Sequence, residues 1–348
     1  MSEQPSSPPG AVPPPPPFDP ELAEALAPLK DAMPPGMTPE DIQVARRGPG
    51  MELLNLFDVT VDGAFTAEDR TVPGPEGAPP VSLLICRPTG LEHRSTALPV
   101  LYHVHGGGMV LGNNRAGVDA PLSWARELGA VVVSVEYRLA PEHPHPAPVE
   151  DAYAGLLWTA AHAAEIGGDP DRIVLVGASA GGGLCAALSL LLRDRQGPSV
   201  IGQLLMSPML DDRNDTVSAH QMAGLGVWDR TANETGWTAL LGPLRGTPGV
   251  SPYAAPARAT DLTALPPTYL DAGSAETFRD EILTYATRLY HSATPTELHI
   301  WPGAYHGFET LSPTAHLTHQ AHTTRQAWLH HLLEQAPSED SGRPRGAS

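Results

Sequence analysis

An apolar run, Ile173-Val174-Leu175-Val176, passes through Gly177-Ala178-Ser179-Ala180-Gly181 into the helix-like Gly182-Gly183-Leu184-Cys185-Ala186-Ala187-Leu188 with no loop between them. A buried strand that turns this sharply into a helix strains the backbone at the apex. The positions two before and two after the apex must then lack side chains, so that the chain can fold back on itself. Gly177 and Gly181 stand at those positions. The start of a helix behind Ser179 supplies free N–H groups and a partial positive charge where an oxyanion would form. The block therefore predicts a nucleophilic serine on a strand–turn–helix; a glycine-rich phosphate loop or plain tight packing is the competing reading.

The remainder of the chain suits such a turn. β-like runs cover Phe65 to Val72, Val81 to Arg87, Val100 to His105 and Ala130 to Val135. Strands at Ile173 to Val176, Ile201 to Met206, Thr268 to Ala272 and Glu297 to Ile300 then alternate with helices at about 148–164, 180–193, 280–290 and 314–333. Alternation of this length means a mostly parallel central sheet covered by helices on both faces, an α/β fold. Two short helices are predicted before it, at Pro20-Glu21-Leu22 and Thr38-Pro39-Glu40-Asp41, each with Pro at its start. Residues 208–265 are too long for a connection and carry Trp228 and Trp237, so they read as an inserted cap.

Proline sets the outer limits of the ordered chain. Thirteen of the 39 prolines lie in the first 40 residues, five of them consecutive from Pro13 to Pro17. Residues 1–18 read as a disordered, polyproline-rich leader dispensable for catalysis, 19–335 as the folded domain with its cap, and 336–348 as a disordered tail. No basic segment followed by an apolar one opens the chain, and no uncharged run of about 18 apolar residues occurs, which points to a soluble cytoplasmic protein with no membrane partner. A formal charge of −18 makes nucleic acid an unsuitable partner. Cys86 and Cys185 both sit in apolar runs and read as buried thiols.

Acyl transfer needs more than a nucleophile. His105-Gly106-Gly107-Gly108 follows the apolar strand Val100 to Val104, and bare glycines expose backbone N–H groups. The amides of Gly107, Gly108 and Ala180 are nominated to hold the carbonyl oxygen once it becomes tetrahedral. The base should follow the serine in the chain, and of the fifteen histidines His306 stands in a loop just after the last strand, in Pro302-Gly303-Ala304-Tyr305-His306-Gly307-Phe308. His316, His319 and His322 recur on the final helix as a solvated face. His103 and His105 lack further ligands for a metal site. For the orienting acid, Glu276 is preferred because it stands in the loop after its strand. Asp271, still in the strand, comes next, and Asp280 and Glu281 look like the first turn of a helix.

Together these blocks resemble the hormone-sensitive lipase-like carboxylesterases, bacterial family IV of the α/β-hydrolase superfamily, over roughly residues 19–335. The resemblance rests on His105 to Gly108, on Tyr137-Arg138-Leu139-Ala140-Pro141-Glu142-His143-Pro144, on the serine block, on Leu265-Pro266-Pro267, and on Phe278-Arg279-Asp280-Glu281 followed by His306-Gly307-Phe308. It implies the α/β-hydrolase fold with a helical cap built from 19–50 and 208–265. It also implies a catalytic acid four residues before Asp280, at Glu276, where the family usually has Asp. A second departure is Ala178, where the family commonly has Asp. The implied activity is hydrolysis of short- to medium-chain acyl esters of small molecules, with no cofactor and no metal. Edge-strand dimers are common in the family, so a homodimer is an open expectation. Met109, Trp228 and Trp237, with Met222 and Leu225, are candidates to line an acyl pocket; the competing reading makes the apolar cap residues the cap's own small core. Lactone or amide hydrolysis, acyl transfer to an alcohol, and a non-catalytic binding protein are the rival functions.

Overall fold

The computed structural model describes residues 12–28, 36–48, 51, 56–90 and 96–336. Its strands are β1 (Phe65–Val72), β2 (Val81–Pro88), β3 (Leu98–Val104), β4 (Val131–Glu136), β5 (Gly168–Ala178), β6 (Gly202–Met206), β7 (Thr268–Gly273) and β8 (Thr296–Trp301). They form one sheet in the order β1-β2-β4-β3-β5-β6-β7-β8. β2 runs antiparallel to β1 and β4, and the remaining neighbours are parallel. The helices are α1 (Pro20–Leu26), α2 (Asp41–Arg46), α3 (Asp119–Leu128), α4 (Ala147–Ala161), α5 (Ala180–Asp194), α6 (Val217–Gln221), α7 (Arg230–Leu241), α8 (Arg279–His291), α9 (Phe308–Leu311) and α10 (His316–Gln335).

The period-two geometry of a strand sends alternate side chains to opposite faces, and here both faces are covered. Val100, Tyr102 and Val104 of β3 and Ile173 and Leu175 of β5 join a core with Leu156 of α4, Leu188 of α5 and Ile282 of α8. Leu101, Val174 and Val176 join the opposite core with Trp124 of α3 and Leu329 of α10. Each fully buried Val, Leu or Ile contributes about 1.5–3 kcal/mol relative to exposure, which is why these strands read as nearly unbroken apolar runs. α3 is absent from the sequence reading. Its end is marked by Gly129 in the left-handed conformation, φ 65°, a stop signal that favours glycine.

Residues 12–18 differ from the expectation of a disordered leader, because they are held against the folded chain. Gln221 Nε2 donates to the carbonyls of Pro13 (3.2 Å) and Pro14 (3.1 Å), and Phe18 meets Tyr305 edge-on at 5.6 Å. Polyproline chain makes no internal hydrogen bonds, so its carbonyls are available to such a donor. The rest of the leader, residues 1–11, lies outside the described residues, as do 337–348 of the tail and 29–35 and 49–50 of the first cap segment. Between β6 and β7 the insertion carries α6 and α7. Among the described residues no helix is long and apolar enough to cross a membrane.

Cys86 and Cys185 are both free and buried. Burial pushes the Cys86 thiol up to about 12, and also raises Cys185. The thiolate is the reactive form. Native protein is therefore expected to give no reaction with Ellman's reagent over minutes at pH 8 and two thiols per chain in guanidinium; a rapid native reaction would contradict this packing.

Candidate active site

Ser179, His306 and Glu276 come together at the carboxyl edge of the parallel sheet. Ser179 is the junction between β5 and α5, with φ 55° and ψ −122°, a region that costs a non-glycine residue about 1–3 kcal/mol unless its surroundings enforce it. They do so here through three hydrogen bonds. The Ser179 amide donates to Met206 O (2.8 Å), and the Ser179 carbonyl accepts from Gly183 N (3.0 Å) and Met209 N (2.9 Å). A Cβ on Gly181 would lie 2.0 Å from the Val104 carbonyl oxygen, and one on Gly177 would lie 2.4 Å from that of Gly181. Both positions are closed to any side chain, as the sequence pattern requires.

The His306 ring bridges the other two groups. Its Nε2 is 2.9 Å from Ser179 Oγ and its Nδ1 is 2.7 Å from Glu276 Oε1. A carboxylate can only accept, so Nδ1 carries the hydrogen and Nε2 is left with a lone pair facing the serine hydroxyl. Phe278 packs edge-on against the His306 ring at 5.0 Å. Glu276 is 1% exposed. Its second oxygen accepts from Gly273 N (2.7 Å) and Ser207 Oγ (2.9 Å).

Beside Ser179 lies the loop that leaves β3. A Cβ on Gly106 would stand 3.4 Å from Ser179 Cβ, so the loop touches the serine. Gly108 has φ 62°, and a Cβ there would fall 2.1 Å from the Trp228 ring, which lies directly over it. Among the described residues, the amides of Gly107, Gly108 and Ala180 donate to no protein acceptor. The loop is braced from behind by the Tyr137 to Pro144 segment. Tyr137 donates its hydroxyl to His105 O (2.9 Å), and Ala140 N donates to Met109 O (2.9 Å). Arg138 clamps buried Asp151 through two bonds of 2.7 Å. From α2, Arg46 donates to Val110 O (2.7 Å) and Ala140 O (2.6 Å) and pairs with Glu142 at 2.9 Å.

The chain's middle matches the family model described as alpha/beta hydrolase fold over residues 101–310. The chain belongs to this family. A curated relative, Esterase LipI of Mycobacterium tuberculosis, is 33% identical over 294 residues, 84% of this chain and 88% of that one. A hormone-sensitive lipase of Bos taurus is 36% identical over 173 residues, 49% of this chain and 20% of that one. Among solved structures, "Bacterial Heroin Esterase" has 39% identity and a TM-score of 0.83, covering 91% of this chain and 98% of that one.

Other α/β-hydrolase residues singled out in the sequence take different places. Asp271 is fully buried in β7, where its Oδ2 accepts from Arg325 Nε (2.7 Å), Trp301 Nε1 (3.0 Å) and Tyr269 OH (3.3 Å). It does not reach His306. Asp280 and Glu281 do occupy the first turn of α8, but they also anchor the insertion. Asp280 accepts from Ser218 N (2.7 Å), and Glu281 accepts from Leu210 N (2.7 Å) and Asp211 N (3.2 Å). Burial raises the Glu281 carboxyl well above its ordinary range. Of the pocket candidates, Trp228 keeps exposed surface, whereas Trp237 (0% exposed) and Met109 (1%) are packed into the main core. Those two are corrections: a side chain with no accessible surface fills the interior and presents nothing to a substrate. Met222 is likewise 2% exposed.

His105 is a structural histidine. Its Nδ1 donates to Gly106 O (2.7 Å), its ring stacks on Tyr137 at 4.0 Å, and burial pushes it down to about 4. His103, hydrogen-bonded to Ser134 Oγ at 2.8 Å, is pushed down to about 3, again by burial. Both rings are thus neutral at pH 7. Among the described residues no group of three or more His, Cys, Asp or Glu is placed to hold a metal. On α10, His316 and His319 are exposed, but His322 is half-buried and packs at 5.3 Å on Trp124.

Proposed function

We propose that this α/β-hydrolase is a serine carboxylesterase that cleaves small-molecule esters of short- to medium-chain acids through an acyl-enzyme. The observation that carries the reading is the unbroken series Ser179 Oγ, His306 Nε2, His306 Nδ1 and Glu276 Oε1, with links of 2.9 and 2.7 Å, standing beside three undonated amides. The names of its esterase relatives point the same way.

In this mechanism His306 Nε2 takes the Oγ proton as Ser179 forms a bond to the ester carbonyl carbon. The carbonyl π electrons move to oxygen, and the oxyanion accepts from Gly107, Gly108 and Ala180. Each such donor lowers the barrier by about 3 kcal/mol. The imidazolium returns its proton to the departing alkoxide, and a water then repeats the sequence on the acyl-serine. Glu276 fixes the tautomer and stabilises the imidazolium. The binding-protein reading would need a member of this set to be missing, and none is.

Residues 19–28, 36–48 and 208–265 act as the cap over this edge. Trp228 comes from that insertion and lies on Gly108, so its ring borders the space beside the oxyanion site and limits the acyl group. Trp228→Ala is expected to shift the ratio of kcat/KM for p-nitrophenyl octanoate over butyrate upward by about tenfold or more, since each added methylene in an apolar pocket is worth about 1–3 kcal/mol. An unchanged ratio across the chain-length series would remove Trp228 from the acyl site. Organophosphonate labelling followed by peptide mapping tests the reaction class directly, with modification expected at Ser179.

A further inference from the structure

Ser207 is polar, partly buried and unassigned by any sequence motif, yet it stands where two halves of the site meet. It directly follows β6, whose last residue, Met206, accepts the Ser179 amide at 2.8 Å. Its own amide donates to Asp271 O at 3.0 Å, tying it to β7. Its φ of 42° places a non-glycine residue in the left-handed region, which is uncommon for serine. The hydroxyl then donates to Glu276 Oε2 at 2.9 Å, alongside Gly273 N at 2.7 Å.

The need for such a donor follows from the residue used as the acid. Glu has one more rotatable bond than Asp, so its carboxylate has a further rotation to lose before it can hold a ring in one plane. Among the described residues, Oε1 makes one bond, to His306 Nδ1. A single bond leaves the carboxylate free to pivot about it, whereas two donors converging on Oε2 fix its plane. One of the two comes from the backbone of β7, and the other is Ser207.

We propose that Ser207 is a positioning residue for the Glu276 carboxylate, adapting a site built around glutamate so that His306 is held towards Ser179. This rests on the reading of Ser179, His306 and Glu276 as the catalytic set. Ser207 touches no reacting atom, and its effect passes through Glu276 alone.

The test is a cycle of variants: Ser207→Ala, which keeps the left-handed strain, Ser207→Gly, which relieves it, and each again in a Glu276→Gln background. Thermal melting accompanies the kinetics to correct for the folded fraction. Both single variants are expected to lower kcat for p-nitrophenyl butyrate about tenfold with KM within twofold of the parent, and to have no further effect once Glu276 is Gln. A Ser207→Gly enzyme with kcat within twofold of the parent overturns the proposal, and so does an equal loss in the Glu276→Gln background, which would mark a purely structural role. If Glu276→Gln is crippled while the Ser207 variants are not, only the positioning proposal fails. If Glu276→Gln itself keeps full activity, the assignment of the acid fails and the proposal with it.

Discussion

Ser179→Ala is expected to lower kcat by about 10⁴ or more while leaving the protein folded. The hydroxyl oxygen is the only heavy atom removed, and in the proposed mechanism it is the atom that forms and breaks the covalent bond. Alanine fits the space, although the φ of 55° at this position remains unfavourable for it. The backbone bonds from Met206, Gly183 and Met209 do not involve the side chain, so the turn has the same supports in the variant. The undonated amides of Gly107, Gly108 and Ala180 also remain, so the residual rate should exceed that of water by a factor of about 10³. Hydrolysis of p-nitrophenyl acetate at the parental rate, or organophosphonate labelling of the variant at the parental stoichiometry, would remove Ser179 from the mechanism.

Glu276→Gln and Asp271→Asn should separate cleanly. A glutamine amide can present its own donor to His306 Nδ1 and so favour the tautomer with hydrogen on Nε2, which cannot take the serine proton; kcat is expected to fall by about 10³–10⁴. Asp271 faces the other way. Its carboxylate neutralises the guanidinium of Arg325, a side chain only 4% exposed and, among the described residues, paired besides only with Glu309. Breaking a buried pair of this kind costs about 3–5 kcal/mol, which in a chain of this size lowers Tm by roughly 5–15 °C. Asp271→Asn is thus expected to melt earlier yet keep nearly full kcat per folded molecule. A reversal of these two phenotypes would exchange the assignments.

The sheet was legible because both its faces are covered, so each strand shows as a short apolar run bounded by turn residues. Ser179 was legible because its turn demands glycine at two fixed positions, and Glu276 because a side chain in the loop past β7 can reach what one inside the strand cannot. The missed features have another origin. Ser207 lies 69 residues from Glu276, and the contact between them depends on how β6 and β7 pair. Trp228 and Trp237 are nine residues apart in one apolar insertion, and only packing sends one over Gly108 and the other into the core. The leader's prolines gave no sign that Gln221 would donate to two of their carbonyls.

The two interior thiols have a practical side. Because Cys86 and Cys185 are both buried with their thiols shifted upward, the protein needs no cysteine removed before a new one is introduced for spectroscopy. A single cysteine placed on the exposed side of α7 would take a maleimide dye cleanly. The insertion could then be watched by fluorescence as an ester arrives and its alcohol leaves, in a molecule otherwise unaltered.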